Sequence, residues 1–272
     1  MSELHHALRA LVFDLDGTLL NADHALSKAT IQAVHDARAH GVKVVLASGR
    51  TNRSMAPFYQ QLGLDTPLIS YNGARVDYPD GEVTERRLTS AVVRGLIELA
   101  RTRSVHLNLY GDDHWYTERA ESEEAKRYAT LAGLTPTSIN LDEVVERGAV
   151  KGLFIAPAPQ LKTLRADLEQ SELIEQLSLT SSMYHFLEVL PSRVNKGVAL
   201  IEVMARLEIP ISQVIAFGDG MNDLELLQVA GRGVAMENAH PALKANATEL
   251  APPHDQDGVA RYVRGLLAPL LS

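Results

Sequence analysis

Apolar and polar positions along the chain follow two rhythms. "ALVFDL" (10–15) is a short apolar run containing Val and Phe, the pattern of a strand buried on both faces, as in a parallel sheet. "LSKATIQAVHDARAHG" then turns helical. Ser27 is placed to cap its start, Ala33, Val34 and Ala37 share a face, and Gly41 stands just past its end. "VKVVLA" (42–47) and "PLISY" (67–71) repeat the buried-strand pattern. Strand and helix alternating at this spacing predict right-handed βαβ units around a parallel sheet.

The middle of the chain has a different rhythm. "ARVDYPDGEVTERRL" places Pro-Asp-Gly between two strand-like pieces, and "HLNLYGDDHWYTE" (106–118) alternates and turns at Gly-Asp-Asp, so both read as hairpins. "AVKGLFIA" (149–156) and "HFLEVLP" (185–191) are further strands, and "SAVVRGLIELARTR" (90–103) is a helix. The βα rhythm resumes with a helix over 195–209, the strand and Gly-rich loop "VIAFGDG" (214–220), a helix in "MNDLELLQVAG" and a short strand at 233–236. The expected fold class is therefore α/β: a Rossmann-like parallel-sheet core (1–81 and 188–272) with an inserted α+β cap domain (82–187). No internal repeat or low-complexity tract interrupts this plan.

Composition narrows the function classes. The 272 residues suffice for a sizeable core, and 46% of them are hydrophobic. The net charge is -8 with no basic run, which argues against nucleic acid as the partner. A phosphorylated substrate would then need local positive charge, from Lys, Arg or a metal ion. The chain has no cysteine, so disulfides, thiolate catalysis and Cys-ligated zinc are excluded. The ten histidines show no HxH or HExxH spacing, which speaks against a His-based metal site. The N-terminal apolar stretch is broken by Arg9 and ends in acids, unlike a signal peptide, and no run of about 18 apolar residues occurs. A soluble, cytoplasmic protein without membrane contact is expected.

In open parallel sheets, ligands bind beyond the carboxyl ends of the strands. Asp14 and Asp16 follow the first strand, Ser48, Gly49 and Arg50 the second, Asn72 and Gly73 the third, and Asp219, Asn222 and Asp223 the strand at 214–218. These clusters should meet at one sheet edge. Taken singly they are weak. Asp16-Gly17 is also a common turn dipeptide, and the acids of "GDGMND" could simply cap a helix. Lys196 opens a helix, where the dipole disfavours a cation, so a nearby anion is suggested.

Taken together, the DxDGT box at 14–18, the strand-end Ser48-Gly49, Lys196 and GDGxND at 218–223 resemble the motifs of the haloacid dehalogenase superfamily of phosphohydrolases. The resemblance implies that Asp14 is a nucleophile forming an aspartyl-phosphate and that Asp16 is the general acid/base. For that role Asp16 must hold a proton near neutral pH, so its environment is expected to raise its pKa. It also implies Mg²⁺ held by Asp14, the Asp16 backbone carbonyl and Asp219, with Asp223 either a further ligand or the group that orients a bound water. Leu15, Ser48, Gly49, Lys196 and Asn222 would cradle the phosphoryl group, and Thr18 would brace the loop. The insertion resembles the subclass IIB cap, and "YNGA", "VNKG" and "GVAMENA" look most like the Cof-type phosphatases.

What the resemblance implies about function is hydrolysis of small phosphomonoesters, either sugar phosphates or phosphorylated cofactors such as FMN or pyridoxal phosphate. A sugar phosphomutase and a non-catalytic phospholigand-binding module are the alternatives. Substrate contacts are sought at Arg50 and Asn72 on the core and at Tyr110, Trp115 and His185 on the insertion, with Asp112 and His114 on the same hairpin. Oligomeric state is not legible in the sequence.

Overall fold

The computed structural model describes residues 8–268. Residues 1–7, which open the segment read above as no signal peptide, and residues 269–272 lie outside them. The chain begins with β1 (Ala10–Phe13), α1 (Lys28–Ala39), β2 (Lys43–Ala47), α2 (Asn52–Gln61), β3 (Leu68–Ser70), β4 (Arg75–Asp77) and β5 (Val83–Glu85). The middle carries α3 (Ser90–Arg103), β6 (His106–Gly111), β7 (His114–Thr117), α4 (Glu123–Ala132), β8 (Thr137–Ser138), β9 (Lys151–Ile155), α5 (Ala158–Glu169), β10 (Leu177–Thr180) and β11 (Phe186–Pro191). The last third is α6 (Lys196–Arg206), β12 (Val214–Gly218), α7 (Leu224–Val229), β13 (Arg232–Met236), α8 (Pro241–Lys244), β14 (Glu249–Ala251) and α9 (Gly258–Leu267).

Two sheets result. The first has the order β14-β13-β12-β1-β2-β3-β4-β5. It is parallel from β14 to β3 and closes with the antiparallel strands β4 and β5. β1 lies between β2 and β12, with Phe13 in register with Leu46 on one side and Phe217 on the other. All four residues of β1 are buried, which accounts for its unbroken apolar run. The order reverses at β1, so a crevice opens at its carboxyl end.

The second sheet has the order β10-β11-β9-β6-β7-β8 and is antiparallel except for the β7–β8 pair. β6 and β7 are joined by Asp112 and Asp113, both at positive φ (52° and 61°), as a tight two-residue hairpin turn requires. The chain changes sheets slightly later than the expected 82 and 187. The Pro79-Asp80-Gly81 turn folds β5 back onto β4, so residues 83–85 go with the first sheet. β11 pairs with both β9 and β10, so Phe186–Pro191 goes with the second. Among the described residues no helix is long and apolar enough to cross a membrane.

Candidate active site

Four strand ends of the first sheet meet at one cleft. Asp14 stands directly after β1, Ser48 after β2, Asn72 after β3 and Asp219 after β12. Lys196 enters from the first position of α6, whose start is capped by Asn195 accepting a hydrogen bond from the Val198 amide at 2.8 Å. Gly197 lets α6 come close to α7, because a Cβ there would lie 2.6 Å from the Glu225 carbonyl oxygen. Gly73, at φ 93°, likewise makes room for the Asn195 carbonyl.

The Lys196 side chain is fully buried and donates to Asp14 Oδ1 and Asp223 Oδ1, each at 2.6 Å. The second oxygen of Asp223 accepts from the Asp219 and Gly220 amides at 3.0 Å, which fixes the "GDGMND" loop. Thr18 Oγ1 donates to Asp219 Oδ1 at 3.3 Å. Burial disfavours the lysine's charge, but the two carboxylates outweigh it and push the ammonium pKa up. Burial and the crowding of acids push Asp14 well above the usual range, against the pull of Lys196. Asp219 is pushed up to about 7, by burial first and by Asp223 second.

Asp14, Asp219 and Asp223 each offer an oxygen within 4.8 Å of the others. Lys196 bonds two of these carboxylates, Asp14 and Asp223, while Asp219 accepts from the Thr18 hydroxyl. An oxygen-only donor set of this kind fits a hard divalent cation.

Asp16 departs from expectation. Its carboxylate accepts from Arg50 Nε at 2.6 Å and Arg50 Nη2 at 2.7 Å, and His24 Nδ1 lies 3.4 Å away. Burial alone would raise its pKa, but the hydrogen bonds and charges of Arg50 and His24 win and hold it well below the usual carboxylate range. The raised pKa that an acid role calls for is therefore absent while this clasp is closed. Arg50 also stacks over the Phe58 ring, 5.5 Å from its centroid.

Asp14, Asp16, Ser48, Gly49, Arg50, Asp219 and Asn222 line one cleft, of about 210 Å³. Leu15 turns its side chain into the core, so only its backbone is available there. The insertion supplies Tyr128, Leu131 and Ala132 from α4, Lys151 and Leu153 from β9, and Ser182, Met183, Phe186 and Glu188 from β11 and the segment before it.

The residues singled out for specificity on the insertion lie elsewhere. Tyr110 and Trp115 are buried in an aromatic cluster with Tyr128 and Phe186, because the hairpin face that carries them packs against α4. His185 lines an adjoining groove with Glu123, Arg127 and Tyr184, which shares Tyr128, Leu131 and Phe186 with the cleft. Asn72 is buried beneath the cleft and bonded on both sides, to Glu188 and to Asn222. Asp112 and His114 serve the hairpin turn, where Asp112 pairs with Arg87 at 2.8 Å.

Comparison with known proteins identifies the family and the fold. The model of a family described as haloacid dehalogenase-like hydrolase matches residues 11–263. An HMP-PP phosphatase from Yersinia pseudotuberculosis is 34% identical over 263 residues, covering 96% of each chain. The crystal structure of TM0651 from Thermotoga maritima superposes with a TM-score of 0.82 at 31% identity, covering 95% of this chain and 97% of that one. A haloacid dehalogenase-like hydrolase from Bacteroides thetaiotaomicron gives 0.86 at 28% identity, covering 95% and 99%. A subclass IIB sugar phosphatase shares the fold, with a TM-score of 0.84 at 22% identity, covering 95% and 99%.

Proposed function

The chain belongs to the haloacid dehalogenase-like hydrolases, and on that premise we propose that it is a Mg²⁺-dependent phosphatase of small organic phosphates acting through an aspartyl-phosphate. The observation that carries this reading is the placement of Asp14 beside Lys196 at the carboxyl end of β1, with Ser48, Gly49 and Asn222 around the same cleft.

In this reading Asp14 attacks phosphorus in line. Lys196 holds the Asp14 carboxylate in place and adds positive charge beside the phosphoryl oxygens. Ser48, the Gly49 amide and Asn222 donate to those oxygens, with the Leu15 amide alongside. Asp16 donates its proton to the leaving oxygen and then takes one from the attacking water. To do so it must exchange the Arg50 clasp for a hydrogen bond to the leaving group. Asp14, the Asp16 carbonyl, Asp219 and Asp223 would hold Mg²⁺, which supplies charge to offset the repulsion between a carboxylate and a phosphate dianion.

The cleft gives room for a small metabolite. Candidate substrates are sugar phosphates, FMN and pyridoxal phosphate, together with HMP-PP, for which the Yersinia relative is named. The setting in which such metabolites occur is the cytoplasm. A panel of these compounds, assayed for released phosphate with and without Mg²⁺, tests the reading. Release from at least one compound, dependent on Mg²⁺, is expected. Isomer formation without phosphate release would point to a mutase, and binding without turnover to a non-catalytic module.

A further inference from the structure

Two buried side chains of the cleft wall, Lys151 and Glu188, take no part in the proposed chemistry yet are bonded to loops that do. Lys151 on β9 and Glu188 on β11 are 2% and 1% exposed. They pair at 2.9 Å inside the second sheet. Each then reaches across to the first domain's loops. Lys151 Nζ donates to the Gly49 carbonyl at 2.8 Å. Glu188 Oε2 accepts from Asn72 Nδ2 at 2.6 Å, and Asn72 Oδ1 in turn accepts from Asn222 Nδ2 at 2.9 Å. Ser182 donates to the other Glu188 oxygen at 2.5 Å.

The two arms end on the same piece of structure. The Asn72 amide donates to the Ser48 carbonyl and the Tyr71 amide to the Arg50 carbonyl, each at 2.9 Å, so the loops after β2 and β3 form one unit. Gly49 packs on Asn72, and a Cβ at Gly49 would lie 3.0 Å from Asn72 Oδ1. Asn72 itself sits at φ 56°, in the left-handed region that asparagine tolerates better than most residues other than glycine. Burying an ion pair gives little net stability, since a well-packed apolar pair of the same volume is often as stable or more so. An apolar pair could not, however, fix a carbonyl and two amides in place.

We propose that Lys151 and Glu188 are positioning residues for the phosphoryl-binding loops: by holding the Gly49 carbonyl and the Asn72–Asn222 amide chain, they make the geometry of Ser48, Gly49 and Asn222 depend on the docked second sheet. The kinetic part of this proposal rests on the phosphatase reading above. The structural part does not.

The test compares Lys151→Met, Glu188→Gln and the double variant. Lys151→Met alone strands a buried carboxylate and should lower Tm. The double variant removes both charges; its Gln oxygen can still accept from Asn72 while its amide nitrogen donates to the Ser182 hydroxyl, so Tm should recover by at least half of that loss. Turnover should not recover. In the double variant kcat should stay down roughly 10- to 100-fold, by the same factor for p-nitrophenyl phosphate and for a hexose 6-phosphate, with KM little changed. Amide hydrogen exchange at Tyr71 and Asn72 should speed up while Val12 and Ala216 stay protected.

Recovery of kcat together with Tm would show a merely structural pair. A loss confined to the KM of one substrate would show a direct substrate contact. Either result, or unchanged exchange at Tyr71 and Asn72, overturns the proposal. Failure of the wild-type protein to release phosphate from any substrate would sink the phosphatase reading instead, and the exchange measurement would still decide this one.

Discussion

The Lys196 ammonium lies 2.6 Å from an oxygen of Asp14 and 2.6 Å from an oxygen of Asp223, with no solvent exposure. Removing it leaves two buried carboxylates facing each other. Lys196→Met should cost about 3–5 kcal/mol of folding stability, read by urea denaturation, and should abolish phosphate release. Lys196→Arg should rescue neither property, because the ammonium is fully buried between Asp14 and Asp223 and the bulkier, planar guanidinium would overpack that site. Near-normal stability of the Met variant would contradict the charge arrangement described here.

The cation site has a pH signature. Burial and Asp223 raise Asp219 from its usual 3.8 to about 7. Between those values the folded protein keeps a proton that the unfolded chain has lost. The contribution of this group to stability is therefore present at low pH and is lost as pH rises through about 7. A divalent cation competes with that proton. The gain in Tm on adding Mg²⁺ should accordingly grow from about pH 5.5 to about pH 8. A gain that is flat or falls over that range would count against these acids as the ligands.

Gly17 tests the turn of the DxDGT box. It sits at φ 75°, and a Cβ there would run into the Asp219 carboxylate. Gly81, at φ 89°, has nothing within 4 Å of the same position. Both alanine variants should lose roughly 1–2 kcal/mol from the left-handed backbone. Only Gly17→Ala should also lose phosphate release and the Mg²⁺-induced rise in Tm. Equal activity in the two variants would remove Gly17 from the account.

Substrate preference should follow the wall of the cleft. Leu131→Ala and Met183→Ala should each change the ratio of kcat/KM for pyridoxal phosphate and a hexose 6-phosphate by roughly 10-fold, since both side chains line the cleft. His185→Ala should leave that ratio unchanged, because His185 lines the neighbouring groove. A larger shift with His185→Ala than with the other two would reverse this assignment.

The sequence is most legible where one local rule decides the outcome. The apolar runs of β1, β2 and β12 are buried on both faces, so their composition alone marks them, and a motif after a strand needs only the strand to be placed. The Asp112-Asp113 hairpin and the cap at Ser27 are similarly local. The residues that line the cleft from the insertion are not. Tyr128, Lys151, Ser182 and Glu188 come from α4, β9, β11 and the segment before it, and only the order of the second sheet brings them together. A lysine at the start of one apolar strand and a glutamate within another, in "VKGLFI" and "FLEVLP", are the available signal, since buried charges on a strand require partners. Tyr110 and Trp115 stand in the core because α4 covers the hairpin face that carries them, a packing that the sequence alone does not reveal. The Asp16–Arg50 clasp joins residues of two different strand-end loops, and no spacing announces it.

The central claim is that Asp14 is the nucleophile of a metal-assisted phosphatase. Its most direct test is phosphate release from p-nitrophenyl phosphate with Mg²⁺ by the wild-type protein and by Asp14→Asn, each checked for an unchanged fold by circular dichroism. The account predicts turnover by the wild type and none above background by the variant. A folded Asp14→Asn protein that turns over at a near-normal rate would contradict it.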